Sequence, residues 1–110
     1  MLPKSKRLNL KTDFQKIVKT GTRYSHGWFS LFIGQANNTK VGIAVGVKIT
    51  KKANRRNRMR RLISAACQRL LPKLSHKASL LFIARKDFSN HSSSEVEEII
   101  EKLLQKAHLL

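Results

Sequence analysis

The sequence predicts an α/β two-layer sandwich, in which a small mixed sheet has helices packed on one face and its other face partly open. Apolar residues recur at helical spacing in three segments, and strand-like apolar runs fall between these segments. No repeat or low-complexity linker divides the 110 residues. The predicted order is α-β-β-α-β-α, and residues 1–110 are expected to form a single domain.

The first helix is expected to be short, with about two turns. Thr12 and Gln15, three residues apart, match a capping box at its start, and Gly21 ends it. Its apolar stripe consists of Phe14, Ile17 and Val18.

Two strand-like runs follow, WFSLFIG at 28–34 and KVGIAVGV at 40–47, with the turn-forming QANNT between them. They predict an antiparallel hairpin. One face of the second strand consists of Val41, Ile43, Val45 and Val47. The opposite face holds Gly42, Ala44 and Gly46, and such a bare face indicates either close packing or a bound ligand, of which packing is the more frequent.

Residues 51–71 predict the second helix. Its core stripe consists of Met59, Leu62, Ile63, Ala66 and Leu70. Cys67 is the single cysteine, so it cannot form an intrachain disulfide and is expected to be a buried thiol. Pro72 ends this helix or follows its end.

Residues 78–85 predict a third strand, and KDFSNHSSS predicts a loop. Ser94 and Glu97 match a capping box at the start of the last helix, where several glutamates suit the positive end of the helix dipole. The buried stripe of this helix consists of Val96, Ile99, Ile100, Leu103 and Ala107.

The charge balance indicates a polyanionic partner. Lys and Arg number 23 against 6 Asp and Glu, which gives a net charge of +17 and a pI near 11.1. No acidic residue lies between Asp13 and Asp87, so the basic residues there have no carboxylate among their sequence neighbours. The N-terminus has the charge of a signal peptide but no apolar segment, and no later segment reaches a membrane-spanning length, so a cytoplasmic location is expected.

The start of the second helix concentrates this charge. A solvated helix face is the ordinary explanation of a charge run, but such faces usually alternate in sign. Here like charges repel, and the first turn is the positive end of the helix dipole. A bound phosphate would offset both the repulsion between the cations and the unfavourable dipole, because free N–H groups and arginine side chains bind its oxygens. We therefore expect nucleic-acid contact from Lys51, Lys52, Arg55, Arg56, Asn57, Arg58, Arg60 and Arg61.

A self-sufficient nuclease is not indicated, because it would need carboxylates or histidines gathered around a metal or a water molecule. Four of the 6 acids lie between residues 95 and 101. The histidines, which lack metal-ligand spacing, are His26, His76, His91 and His108. A structural binding protein, such as an RNA-binding ribosomal protein or a nonspecific DNA-binding protein, is the competing class, and composition alone does not exclude it.

The segment GIAVGVKITKKANRRNRMRRL, residues 42–62, resembles the signature of the bacterial ribonuclease P protein component, in which a strand leads into a basic helix carrying Ala-x-x-Arg-Asn-Arg-x-Lys/Arg-Arg. The matching residues are Ala53, Arg56, Asn57, Arg58, Arg60 and Arg61. RLNLKTDFQKIVKTG is similar to the family's opening and LLFIAR to its third strand, so the resemblance covers nearly the whole chain. Val18 stands where many members have an aromatic residue, and Ser64 where many have a basic one.

The resemblance implies that an RNA subunit is the catalyst. With Mg²⁺ held by that RNA and the substrate, it hydrolyses the phosphodiester that joins the 5′ leader of precursor tRNA to the mature tRNA. One protein per RNA would bind both the catalytic RNA, through the arginine-rich helix, and the leader. The family's strand-helix-strand crossover is left-handed, against the general preference.

The resemblance also places the leader in a cleft between the first helix and the open face of the sheet. Phe14 is the best-supported leader contact, and Val18 lies beside it. Further candidates are Arg23, Trp28, Phe32 and Lys48. For each aromatic residue, core packing is the alternative, because base stacking and core filling require the same residue type.

Overall fold

The structure of the chain, a computed structural model, describes residues 2–110. The helices are α1 (Leu10–Thr20), α2 (Ala53–Leu70) and α3 (Ser93–Lys106). The strands are β1 (Thr22–His26), β2 (Phe29–Gln35), β3 (Lys40–Ala44) and β4 (Ala78–Ala84). The order across the described residues is therefore α-β-β-β-α-β-α, with one strand more than the sequence predicted.

The strands form a mixed sheet in the order β1-β2-β4-β3, in which β3 pairs with β4 in parallel and the other pairs are antiparallel. The predicted hairpin between the runs at 28–34 and 40–47 is wrong, because β4 lies between them. The partner of β2 in a hairpin is β1, which precedes it. The turn between β1 and β2 contains Gly27 at φ 60°, a conformation that favours glycine.

The two faces of the sheet carry two separate hydrophobic clusters. Phe29 and Leu31 of β2 point into the larger cluster, under α2 and α3. Phe32 points the opposite way, into a smaller cluster with Ile17 of α1 and Leu81 of β4. Because α1 covers this second face only in part, the predicted two-layer α/β sandwich with a partly open face is confirmed, with α1 on the open side.

The core stripe of α2 is confirmed. All five predicted residues, Met59, Leu62, Ile63, Ala66 and Leu70, are buried. Cys67 is buried beside them, and desolvation raises the pKa of its thiol to about 12. The helix itself is slightly shorter than the predicted 51–71.

Both predicted capping boxes are misplaced. The side chain of Asn9 accepts a hydrogen bond from the Lys11 N–H (3.0 Å), so α1 begins before Thr12. In α3 the capping box joins Ser92 to Glu95, two residues before the predicted pair. Runs of serine and glutamate provide several possible pairs, and the sequence does not show which serine has the extended backbone of an N-cap.

Residues 2–9 lie along the outer edge of β3. Arg7 forms a parallel bridge with Val41, whose carbonyl accepts a hydrogen bond from the Leu8 N–H at 3.0 Å. Gly42 leaves room for this segment and the start of α1, since a Cβ there would lie 3.1 Å from Cδ1 of Leu8 and 2.8 Å from Cδ2 of Leu10. The bare face of β3 is therefore explained at Gly42 by packing.

The strand predicted at 40–47 is too long at its end. It stops at Ala44, and the chain turns, with the Ile49 N–H donating to the Gly46 carbonyl (3.1 Å). Val47 consequently leaves the face that it was predicted to share with Val41 and Ile43, and it is 63% exposed.

Candidate nucleic-acid interface

The eight residues predicted to contact nucleic acid lie around the start of α2. Five are exposed, namely Lys51, Lys52, Asn57, Arg58 and Arg61, and three are half-buried, namely Arg55, Arg56 and Arg60. Met59 and Leu62 on the opposite side of α2 are buried in the core. The eight residues therefore lie on or next to a helix whose position is fixed by packing. We call these eight residues the basic cluster.

Two arginines of the basic cluster bind the loop between β4 and α3. Arg58 Nε donates to the carbonyl oxygen of Ser89 at 2.6 Å, and Arg55 Nη1 lies 3.4 Å from Oδ2 of Asp87. The other Asp87 oxygen accepts hydrogen bonds from the Ser89 N–H (2.9 Å) and hydroxyl (2.6 Å). These Ser89 bonds and, to a lesser extent, Arg55 lower the pKa of Asp87. Arg55 thus has a carboxylate partner, Asp87, that is distant in the sequence but close in the fold.

Other members of the basic cluster are oriented by contacts close in sequence. Arg56 Nη1 donates to the Thr50 carbonyl at 2.9 Å, which ties the first turn of α2 to the preceding loop. Arg60 Nη1 donates to Oδ1 of Asn57 at 2.8 Å. Since the amide oxygen of Asn57 is thereby occupied, its amide N–H groups are the part of the side chain available to a ligand.

Among residues 2–110, Arg55 is the one cation of the basic cluster in an ion pair with a carboxylate. Arg56, Arg58 and Arg60 form hydrogen bonds to uncharged oxygens, and the side chains of Lys51, Lys52 and Arg61 form neither kind of contact in this part of the chain. Arg61 is exposed on a helix whose backbone is fixed by buried neighbours. An anion bound there would not need to displace an internal carboxylate, so these side chains are the most available phosphate ligands of the cluster.

The open face of the sheet brings together part of the predicted leader set. Phe14 is half-buried against the smaller hydrophobic cluster, and Phe32 lies within that cluster at 8% exposure. Val18 is 37% exposed on α1. One part of the Phe14 ring therefore packs against the core, and another part is accessible to solvent. The ring can fill the small core and still offer a surface on which a base could stack.

Two guanidinium groups converge on the same open face. Ser30, which is fully buried, accepts hydrogen bonds from Arg85 Nε at 2.8 Å and from Arg23 Nη2 at 3.3 Å. Arg23 belongs to the predicted leader set, but Arg85 does not. Arg85 follows β4, and the alternation of side chains places it on the same face as Ile83. The sequence does not reveal this, because β4 is apolar on both faces and shows no alternation of apolar and polar residues.

The remaining leader candidates lie elsewhere. Trp28 belongs to the larger cluster, on the other side of the sheet from Phe14, and its ring stacks on Phe88 at 5.7 Å and approaches His91 at 4.2 Å. Lys48 is exposed in the loop after β3. The structure therefore does not bring Trp28 and Phe14 together in one surface.

Among residues 2–110, no group of three or more His, Cys, Asp and Glu side chains is placed to hold a metal ion. None of the helices in this part of the chain has the length and apolar character that crossing a membrane requires.

Fold and charge together define a small, strongly basic α/β protein, whose net charge of +17 suits a polyanionic partner. The family described as Ribonuclease P matches residues 2–108. The ribonuclease P protein component of Lactiplantibacillus plantarum is 34% identical, over 97% of this chain and 96% of that protein. That of a Synechococcus strain is 32% identical, over 100% of this chain and 87% of its own length. The chain belongs to the ribonuclease P protein component family, which implies an RNA partner and a role in tRNA processing.

Solved structures agree with this assignment. A Staphylococcus aureus RNase P protein mutant with defective mRNA degradation activity superposes with a TM-score of 0.87 at 22% identity, over 97% of this chain and 92% of that one. The RNase P protein from Thermotoga maritima superposes with a TM-score of 0.80 at 26% identity, over 91% of this chain and 96% of that one. The mixed sheet and its three helices are thus the fold of the family.

Proposed function

We propose that this chain is the protein subunit of ribonuclease P, binding both a catalytic RNA subunit and the 5′ leader of precursor tRNA. In this proposal the RNA subunit and the substrate hold Mg²⁺, and the RNA hydrolyses the phosphodiester at the leader junction. The protein supplies binding and orientation, with one protein per RNA, in the cytoplasm. The observation that carries the proposal is the exposed basic cluster at the start of α2 in a chain of this family.

The catalytic RNA docks on the basic cluster. Lys51, Lys52 and Arg61, which form no ion pair with a described carboxylate, bind its phosphates. Arg58 is anchored on the Ser89 carbonyl through Nε, and its two terminal nitrogens remain to bind a phosphate. The internal bonds of the cluster fix the guanidinium groups before RNA arrives, so less side-chain entropy is lost on binding.

The leader lies across the open face of the sheet, beside α1. A base stacks on the exposed part of Phe14, while Arg23 and Arg85, held together on Ser30, bind leader phosphates. Val18 and Lys48 flank this path as secondary contacts. Single-stranded RNA suits the surface because its bases are free to stack on a side chain.

Reconstitution tests the proposal. The purified protein is mixed with a bacterial catalytic RNA and a precursor tRNA at a magnesium concentration at which the RNA alone is slow. We expect one cut at the leader junction, faster with the protein than without it, and no cut by the protein alone. Glu101→Gln, an exposed position on α3 without an ion pair among the described residues, is the control variant and should behave as the unaltered protein.

Two results would contradict the proposal. Specific cleavage by rigorously RNA-free protein would place a catalytic site in the chain itself. Binding to the catalytic RNA without any effect on cleavage would instead favour the competing class of structural RNA-binding proteins.

A further inference from the structure

A pocket of about 240 Å³ lies at the outer edge of β3, between the segment that precedes α1 and the middle of α2. Its walls are largely aliphatic and include Leu8, Leu10 and Ile43. Its polar side chains are Arg7, Arg60 and Ser64, and no acidic residue lines it. This edge pocket is distinct from the path beside Phe14 on the open face, because Phe14 does not line it.

Ser64 is the unusual residue of the edge pocket. The residue is 3% exposed, and its hydroxyl makes no hydrogen bond with any of residues 2–110. No buried side-chain oxygen of these residues lacks a partner, so the Ser64 hydroxyl is accessible from the pocket that it lines and can bind a ligand there. Ser64 therefore provides a hydrogen-bonding group within an otherwise apolar cavity.

The chemistry of the edge pocket limits its ligand. An inorganic anion would make no use of the aliphatic walls, and an aliphatic ligand would leave the hydroxyl and both guanidinium groups unused. A nucleobase uses all three features, because it has apolar faces, a hydrogen-bonding edge and neighbouring phosphates. The volume is below the roughly 300–1,000 Å³ of ordinary small-molecule sites, which matches a single base.

We propose that the edge pocket binds one unstacked nucleobase of single-stranded RNA. The base lies between the aliphatic side chains, Ser64 binds its edge, and Arg7 and Arg60 bind the adjoining phosphates. The bond from Arg60 to Asn57 (2.8 Å) already orients one of these guanidinium groups. The inference rests on the proposed function in taking RNA as the partner, and it adds a third RNA contact to the basic cluster and the open face.

Methyl NMR of the full chain provides a direct test. The probes are a hexaadenylate RNA and an abasic oligomer of equal length and charge. The hexaadenylate should shift the methyl resonances of Leu8, Leu10 and Ile43 through the ring current of the bound base, and the abasic oligomer should not. Equal shifts from both oligomers, or no shift from either, would overturn the proposal. Tighter binding of free AMP than of the hexaadenylate would overturn RNA as the source of the base.

A variant that fills the pocket gives a second measurement. Ser64→Met should weaken hexaadenylate binding by about tenfold or more, since loss of one bound base has an effect of this size. Ser94→Met, the same change at an exposed site on α3 outside the edge pocket, should leave the affinity unchanged. If Ser64→Met does not fold, Arg7→Ala replaces it, because the bridge to Val41 uses only the backbone of residue 7. Unchanged affinity in the folded variant would refute the inference.

The reconstitution experiment separates this inference from the proposed function. Normal stimulation of the catalytic RNA without base-dependent methyl shifts would reject the edge pocket alone. Failure to bind or stimulate any catalytic RNA would reject the proposed function.

Discussion

Replacing Asp87 tests the connection between the basic cluster and the loop that precedes α3. One oxygen of Asp87 accepts two short bonds from Ser89, and the other lies 3.4 Å from Arg55. Hydrogen bonds to a charged group contribute roughly 1.5–3 kcal/mol each. The ion pair, with side chains 41% and 24% exposed, contributes about 0–1 kcal/mol.

We expect Asp87→Asn to lower the free energy of unfolding by about 1–2 kcal/mol, because asparagine keeps an acceptor oxygen but loses the charge. Asp87→Ala, which also loses the acceptor, should cost about 3 kcal/mol, the low end for two such bonds, because the Asp87 side chain is 24% exposed. Urea denaturation followed by circular dichroism at neutral pH measures both. Glu101→Gln is the control, since it changes the net charge equally without breaking an ion pair among the described residues.

The pH dependence of this difference has a definite sign. The folded-state pKa of Asp87 is lowered, so the carboxylate stabilises the fold above its unfolded pKa of about 3.9. That stabilisation is lost as the pH falls through the folded-state pKa, and the difference between the unaltered protein and Asp87→Asn should shrink in acid. An equal free energy of unfolding for Asp87→Asn and Glu101→Gln at neutral pH, or a difference that persists in acid, would refute the reasoning.

Three further predictions concern other side chains. Arg61→Ala should weaken binding to the catalytic RNA by about 1.5–3 kcal/mol and leave the melting temperature nearly unchanged. Arg58→Ala should weaken binding and also lower the melting temperature, because it breaks the bond to the Ser89 carbonyl. Filter binding measures the affinities and calorimetry the melting temperatures, and equal melting temperatures for the two variants would contradict this prediction. Phe14→Ala should reduce the preference for precursor over mature tRNA by about 1–3 kcal/mol, and a folded variant with unaltered preference would remove Phe14 from the leader path. Cys67, with a pKa near 12, should resist iodoacetamide at pH 8 until the protein is unfolded, and rapid labelling of the folded protein would disprove its burial.

Local periodicity was sufficient to predict the three helices and the core face of α2. The stripe from Met59 to Leu70 repeats at three and four residues, and all of its members are buried. β1 lacked such a signal, because TRYSH is mostly polar and forms an edge strand without a fully buried residue. The pairing of β2 with β4 was also hidden, since its register joins residues about fifty positions apart, such as Ser30 and Ile83.

The motif around Arg56 and Asn57 placed the basic cluster on an exposed helix start, as the structure has it. The partners of the cluster were not predictable, because Asp87 and Ser89 lie about thirty residues further along the chain. The conflict between two interpretations of Phe14 came from the residue type itself, which suits a core and a stacking surface equally. A half-buried ring on the open face serves both purposes.

The position of β4 in the sheet determines when this protein can fold during its synthesis. β4 lies between β2 and β3, but it is the last strand to be translated. A nascent chain that ends before residue 78 can form only the β1–β2 hairpin, and an isolated two-stranded hairpin is marginally stable in water. The sheet, and with it the burial of α2, must therefore await the last third of the chain. Until then the mutually repelling arginines of the basic cluster lie on a segment that has no completed sheet to pack against.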